Sequence, residues 1–172
     1  MYLINTSTAT SNNTVFTFSS IPQTFTHLRM ICYLRTSQAG AGANAGVWLN
    51  NDQSGIYRVH YTGGDGGSIF SGDFAANQTS FNIGWVGNTA ATAGLFSTHI
   101  VDILDYTDTS KFKTIRTING FDANNSTTNL VGLWSGLWRS TSAINRIDIP
   151  IGFATGSTVS LYGISNSTVT GV

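Results

Sequence analysis

Eight aspartates, three histidines and one cysteine hold all the acid–base, nucleophilic and metal-binding capacity of this 172-residue chain, which contains no glutamate. General acid–base catalysis needs a carboxylate or imidazole held in a cleft with a shifted pKa. Asp52, Asp65, Asp73, Asp108 and Asp122 all fall in turn-like contexts. Aspartate favours turns because its carboxylate accepts bonds from nearby backbone amides. Asp102 and Asp105 sit on a strand-like run and at its end, three residues apart. Alternating side chains place them on opposite faces, so they make a poor acid–base pair. His27, His60 and His99 lie in three separate runs, and no His-x-His, Cys-x-x-Cys or His–Glu pair announces a metal site. The chain has no Gly-x-Ser-x-Gly elbow, and the glycine-rich GGDGG at 63–67 opens no helix that could hold a phosphate. The oxygen-rich tracts at 50–55 and 105–108 do not follow the 12-residue calcium loop. Asn-x-Ser/Thr triplets such as Asn125-Ser126-Thr127 arise by chance in so Asn/Ser/Thr-rich a chain. The residues therefore point to no catalytic centre, no cofactor and no metal.

Binding chemistry is a different matter. Trp48 and Trp85 sit inside apolar alternations and read as core. Trp134 and Trp138 adjoin Arg139, and Trp beside Arg is the composition of an interface anchor. For that pair both core and interface stand open. Exposed Trp and Tyr can also stack on sugar rings, so a glycan is a second class of partner.

Composition narrows the rest. Only 9% of residues are charged, the formal net charge is zero, and lysine occurs only at 111 and 113. Exposed helix faces draw on Glu, Lys, Arg and Gln, so their scarcity argues against long solvent-facing helices. Ser, Thr and Asn make up about a third of the chain. They suit strands and turns, and the 41% hydrophobic content is too high for disorder. A neutral hydroxyl-rich surface repels its own copies little, which suits an assembly. The eight basic residues are dispersed, against a nucleic-acid partner. No stretch approaches the ~20 apolar residues of a membrane span. The amino-terminal MYLINTSTAT lacks the basic and apolar regions of a signal peptide, which favours folding in a cytoplasm. Cys32 is the sole cysteine and stands in an apolar alternation, as a small buried hydrophobe.

The elements that must position these residues are strands. The stretch 14–37 organises them: an apolar run, a break at Ser19-Ser20-Ile21-Pro22-Gln23, then a long alternation. Pro22 lacks an amide hydrogen and biases Ile21 away from helix, so the chain turns or changes sheet there. Leu28, Met30, Cys32 and Leu34 then form a core face. Arg29, Ile31, Tyr33 and Arg35 form a mixed face that a neighbour or partner chain can cover. Further strands are expected at 47–49, 56–62, 79–86, 95–106, 112–121, 144–151 and 157–164, with loops at 38–46 and 122–129 between them. In 95–106 the periodicity does not choose between Val101/Ile103 and Ile100/Leu104 as the inward set. The segment 130–139 (LVGLWSGLWR) fits helical spacing as well, but two glycines favour a buried strand. Pro150 marks an edge or a bulge. Tyr2, Leu3 and Ile4 open the chain as a short strand or, with 1–13, an extended arm; 165–172 is a polar tail. About ten short strands with turn residues between them predict a single all-β domain over 1–172. Its expected packing is an antiparallel β-sandwich, jelly-roll-like.

Several segments together resemble the small structural proteins of tailed-bacteriophage virions. They are Phe18-Ser19-Ser20-Ile21-Pro22-Gln23-Thr24-Phe25-Thr26-His27-Leu28, Leu34-Arg35-Thr36-Ser37, Asn51-Asp52 with Gly55 and Tyr57-Arg58, and Asp105-Tyr106-Thr107 with Lys111 and Lys113. Asn124-Asn125 with Leu133-Trp134-Ser135 and Ala143-Ile144, and Ser160-Leu161-Tyr162-Gly163-Ile164, complete the set. His27, where an acidic residue is common, and the long 38–46 loop depart from the pattern. The resemblance implies a place in the particle and no catalysis. The expected role is a capsid decoration, or cement, protein on the outer shell, a homotrimer bound to the major capsid protein. The alternative is a tail or head-fibre adhesin for host glycans. Tyr2, Leu3, Ile4, Trp134, Trp138 and Arg139 are the expected interface residues.

Overall fold

A computed structural model describes residues 1–39, 43–74, 76–89, 91–122 and 129–165. The expected loop residues 40–42 and 123–128, with Asn124 and Asn125, and the polar tail 166–172 lie outside the described residues. Twelve strands and no helix form among the described residues: β1 (Tyr2–Thr8), β2 (Thr14–Phe18), β3 (His27–Leu34), β4 (Ala43–Leu49), β5 (Tyr57–Gly64) and β6 (Ile69–Asp73). They continue as β7 (Phe81–Val86), β8 (Ser97–Ile103), β9 (Lys113–Asp122), β10 (Asn129–Trp138), β11 (Ile147–Phe153) and β12 (Thr158–Ile164).

The strands make two antiparallel sheets, ordered β1-β12-β3-β8-β9-β10-β5-β6 and β2-β11-β4-β7. Within them lies a jelly roll. The quartets β1-β12-β3-β8 and β2-β11-β4-β7 face each other, and the chain steps from one to the other along β1, β2, β3, β4 and again along β7, β8 and β11, β12. Two hairpins, β5–β6 and β9–β10, are inserted into that plan and widen one sheet to eight strands. β7, at the border of the smaller sheet, packs over β8, β9, β10 and β5. One core therefore runs under both the quartet and its extension.

Period-two patterning places this core. Leu28, Met30, Cys32 and Leu34 are buried as expected, as are Val159 and Leu161 opposite them. Burial pushes the Cys32 thiol up to about 12, so it stays protonated and inert. β2 and β3 are not a hairpin: they belong to different sheets. Ser20 adopts φ 53°, and the crossover is pinned where the Ile21 amide donates to Asn145 O at 3.0 Å and Tyr106 Oη donates to Pro22 O. Pro150 sits in a central strand rather than at an edge, within the register break between Ile149 and Phe153. The break removes the need for its missing amide hydrogen.

The first strand resolves the arm-or-strand alternative. Tyr2–Thr8 pairs along β12 from Gly163 to Thr158, so it is an edge strand of the larger sheet.

Candidate functional site

The inward face of β10 alternates small and large: Gly132, Trp134, Gly136, Trp138. A Cβ on Gly132 would lie 2.1 Å from the Trp134 ring, and one on Gly136 would lie 1.8 Å from Arg58 O. The glycines thus make room for two indoles against the core. Trp134 is 1% exposed and stacks on Tyr61 at 6.3 Å; Trp138 is 2% exposed and donates from Nε1 to Asp52 Oδ2 at 2.8 Å. Trp134 and Trp138 are therefore core residues and not interface anchors, which corrects the expectation. Arg139, just past the strand, is exposed. Tyr2 and Leu3 are exposed on the edge strand, while Ile4 packs partly against the core.

The other pair is reversed as well. Trp85 is 42% exposed and Trp48 half-buried. The alternation Phe81, Ile83, Trp85 breaks at Gly84, which adopts φ +111°. A side chain there would also meet the Asn119 amide within 2.7 Å. Asn119 Nδ2 donates to Trp85 O at 3.1 Å and holds the kink against β9. Beyond the kink Val86, not Trp85, turns inward.

The aspartates divide between turns and ion pairs. Asp52, Asp65 and Asp108 each accept backbone amide hydrogens from residues two or three further on. Asp102 and Asp105 do not come together: Asp105 meets Lys111 at 2.7 Å and His27 at 3.3 Å, whereas Asp102 lies between two arginines. The histidines are equally separate, with His60 exposed on β5 and His99 fully buried.

What the fold does assemble lies on the outer face of the larger sheet. Register places Ile31 opposite Ile100, Ile100 opposite Ile118, and Ile118 opposite Leu133. Four branched aliphatic side chains thus line up across β3, β8, β9 and β10, spanning about 14 Å at the usual strand spacing. They are 41%, 43%, 60% and 41% exposed. Val131 and Leu137 extend the strip along β10, and Tyr33, stacked on Phe96 at 4.6 Å, closes one corner. Single exposed hydrophobics are ordinary, but a contiguous apolar strip across four strands marks an interaction surface.

A row of charges borders this strip. Arg29 grips Asp102 with two bonds, Nε–Oδ1 at 2.7 Å and Nη2–Oδ2 at 3.0 Å, and Arg116 Nε adds a third at 3.2 Å. Burial raises the Asp102 carboxyl, but the arginine bonds outweigh it and leave the pKa below its ordinary value. Asp102→Asn strips the charge from this knot and sets two guanidiniums side by side. The expected loss is about 1–2 kcal/mol, discounted for the exposure of both arginines. Urea unfolding at neutral pH measures it.

The mixed face of β3 was the readable sign of this surface, since it sets Ile31 and Tyr33 between arginines. The partners Ile100, Ile118 and Leu133 were not readable, because a sequence does not state cross-strand register. The fold and this face define an all-β jelly-roll sandwich with an open aliphatic sheet surface. Searches of family models, curated proteins and solved structures find no match to the chain.

Proposed function

We propose that this chain is a non-enzymatic structural protein of a bacteriophage particle, a decoration protein that lays its larger sheet on the capsid shell. The observation that carries the docking role is the aliphatic strip Ile31–Ile100–Ile118–Leu133 on an exposed sheet face. The particle enters the reading through the segments that resemble virion proteins. Copies associate as homotrimers and bridge neighbouring major capsid subunits. The low charge content, 9% of residues with a formal net charge of zero, supports close packing between copies. An aliphatic strip suits a protein surface better than a sugar, which stacks on aromatic rings. An interface of standard size, about 1,600 Å² in total, would extend beyond the strip onto the Arg29–Asp102–Arg116 row and the β1 edge.

The test uses phage heads lacking the protein, reconstituted with purified chain and imaged by cryo-EM. The expected result is ordered density at symmetric shell positions with β3, β8, β9 and β10 toward the shell. Ile118→Asp is expected to keep its stability within about 0.5 kcal/mol, because the position is exposed. It should nonetheless lose the shell density. Density on a tail or fibre alone would overturn the decoration reading and favour the adhesin.

A further inference from the structure

A cleft between the smaller sheet and β5 of the larger one lies apart from the docking strip. It measures about 190 Å³, below the ~300 Å³ at which drug-sized pockets begin. β4 forms its floor at Gly46 and one wall at Asn44; Ser80, Asn82 and Phe74 form the others. A Cβ at Gly46 would lie 2.8 Å from Ser80 Oγ, so the glycine leaves room for that hydroxyl. The β4–β7 register shifts between Asn44 and Gly46, at this floor. The far wall is tied down where the Tyr57 amide donates to Gln78 O at 3.1 Å.

The chemistry of this lining is specific. Hydroxyl and amide side chains meet one aromatic ring and the aliphatic Val59, and among the described residues no charged one lines the space. Asn82 Oδ1 accepts from the Gly84 amide at 2.7 Å, which leaves its Nδ2 as the group to meet a ligand. Trp85 does not line the space itself, but it is the register partner of the lining residue Asn44, so its exposed indole lies on the same side of the sheet as that wall. The Gly84 kink described above is what brings it there. A charged ligand would find no counter-charge here, and a purely apolar one would leave the amides unpaired. A ring with hydroxyls on its edge and carbon–hydrogen bonds on its face fits both.

We infer that this cleft binds a single neutral pyranose ring, the ring face against Trp85 or Phe74 and the hydroxyls on Asn44, Ser80 and Asn82. The inference is independent of the docking role, since no lining residue of the cleft belongs to the aliphatic strip. So small a contact gives millimolar affinity.

The test is an NMR titration of ¹⁵N-labelled protein with the methyl glycosides of glucose, galactose, mannose and N-acetylglucosamine. With at least one of them, saturable shifts are expected at the Trp85 indole and the Asn44 and Asn82 side-chain amides. Glycerol at equal concentration should produce none. Trp85→Ala is expected to weaken binding about tenfold and Asn44→Ala about fivefold. Both positions are exposed, and an unchanged amide spectrum verifies their folding. Ile118→Asp should leave sugar affinity untouched, which separates this site from the shell-docking face. Absence of saturable shifts with all four glycosides, or equal affinity in both cleft variants, overturns the assignment.

Discussion

Lys113→Met is expected to destabilise the fold by about 3 kcal/mol. Lys113 begins β9 with its side chain inward and is 0% exposed. Its ammonium donates to three backbone carbonyls: Asp108 O at 2.5 Å, Lys111 O at 2.9 Å and Thr141 O at 3.0 Å. Three donors thus meet three acceptors, the full valence of the group. Two of those carbonyls belong to the turn between β8 and β9, and the third to the loop between β10 and β11. One ammonium therefore ties two loops together. Burial lowers the lysine pKa, opposed in part by the nearby Asp108 and Asp105 carboxylates. Methionine matches its length but donates nothing, and each carbonyl left without a partner costs about 1 kcal/mol or more. Lys111→Met is the control. Lys111 is 53% exposed and pairs with Asp105 at the surface, a contact worth less than about 1 kcal/mol. Urea unfolding of the two variants should show midpoints well apart at similar m-values. Coincident midpoints would mean that the three carbonyls find water as readily as they find the ammonium.

Much of this architecture is legible in the sequence because one face of each strand is buried. The alternation at 28–34 showed the core face residue by residue, and the all-β sandwich follows from such strands with turn residues between them. The misreadings share a physical cause: information that lies outside a single strand's period. Gly84 reverses the phase of β7 through a positive φ, so Trp85 leaves the core. At β10, Trp beside Arg suggested an interface, whereas the repeated small–large pattern of Gly132, Trp134, Gly136 and Trp138 already signalled an inward face. β6 escaped notice because all its side chains are exposed or half-exposed, so it shows no apolar period. The burial of Lys113 has no periodic signal in the sequence, since the convergence of two distant loops puts it inside. The aliphatic strip needs the register of four strands. Its isoleucines are visible singly, but their alignment is not.

Stability is expected to fall by about 3 kcal/mol between pH 7 and pH 4 through His99 alone. His99 points into the core from β8 and is 1% exposed. Nδ1 lies 2.9 Å from Ile83 O, Nε2 lies 2.9 Å from Ser97 Oγ, and Ser97 Oγ donates to Leu34 O at 2.9 Å. A neutral imidazole and a hydroxyl bring two protons to these three links, so Nδ1–H serves Ile83 and the serine proton is contested between Leu34 O and Nε2. An imidazolium would fill all three links, yet it would have to sit without water. Burial dominates, opposed by the Ile83 bond, and the pKa is pushed down to about 4 from an ordinary 6.5. The sign follows from linkage. Below 6.5 the unfolded chain takes up the proton and the folded chain does not, so stability drops with pH until the folded pKa is reached. A gap of about 2.5 units at 1.36 kcal/mol each gives the figure above. The lowered carboxyls of Asp52 and Asp102 act later, as pH falls from their ordinary 3.8, so the windows separate. In urea titrations at pH 7.5, 5.5 and 4, wild type should lose stability steadily. His99→Gln, whose amide can still donate to Ile83 O, should start lower and lose little over the same range. Direct observation of the His99 ring by NMR gives the decisive reading. A ring that stays neutral at pH 5 agrees with this account, and one that titrates near 6.5 would show that the core admits the proton and that the slope has another source.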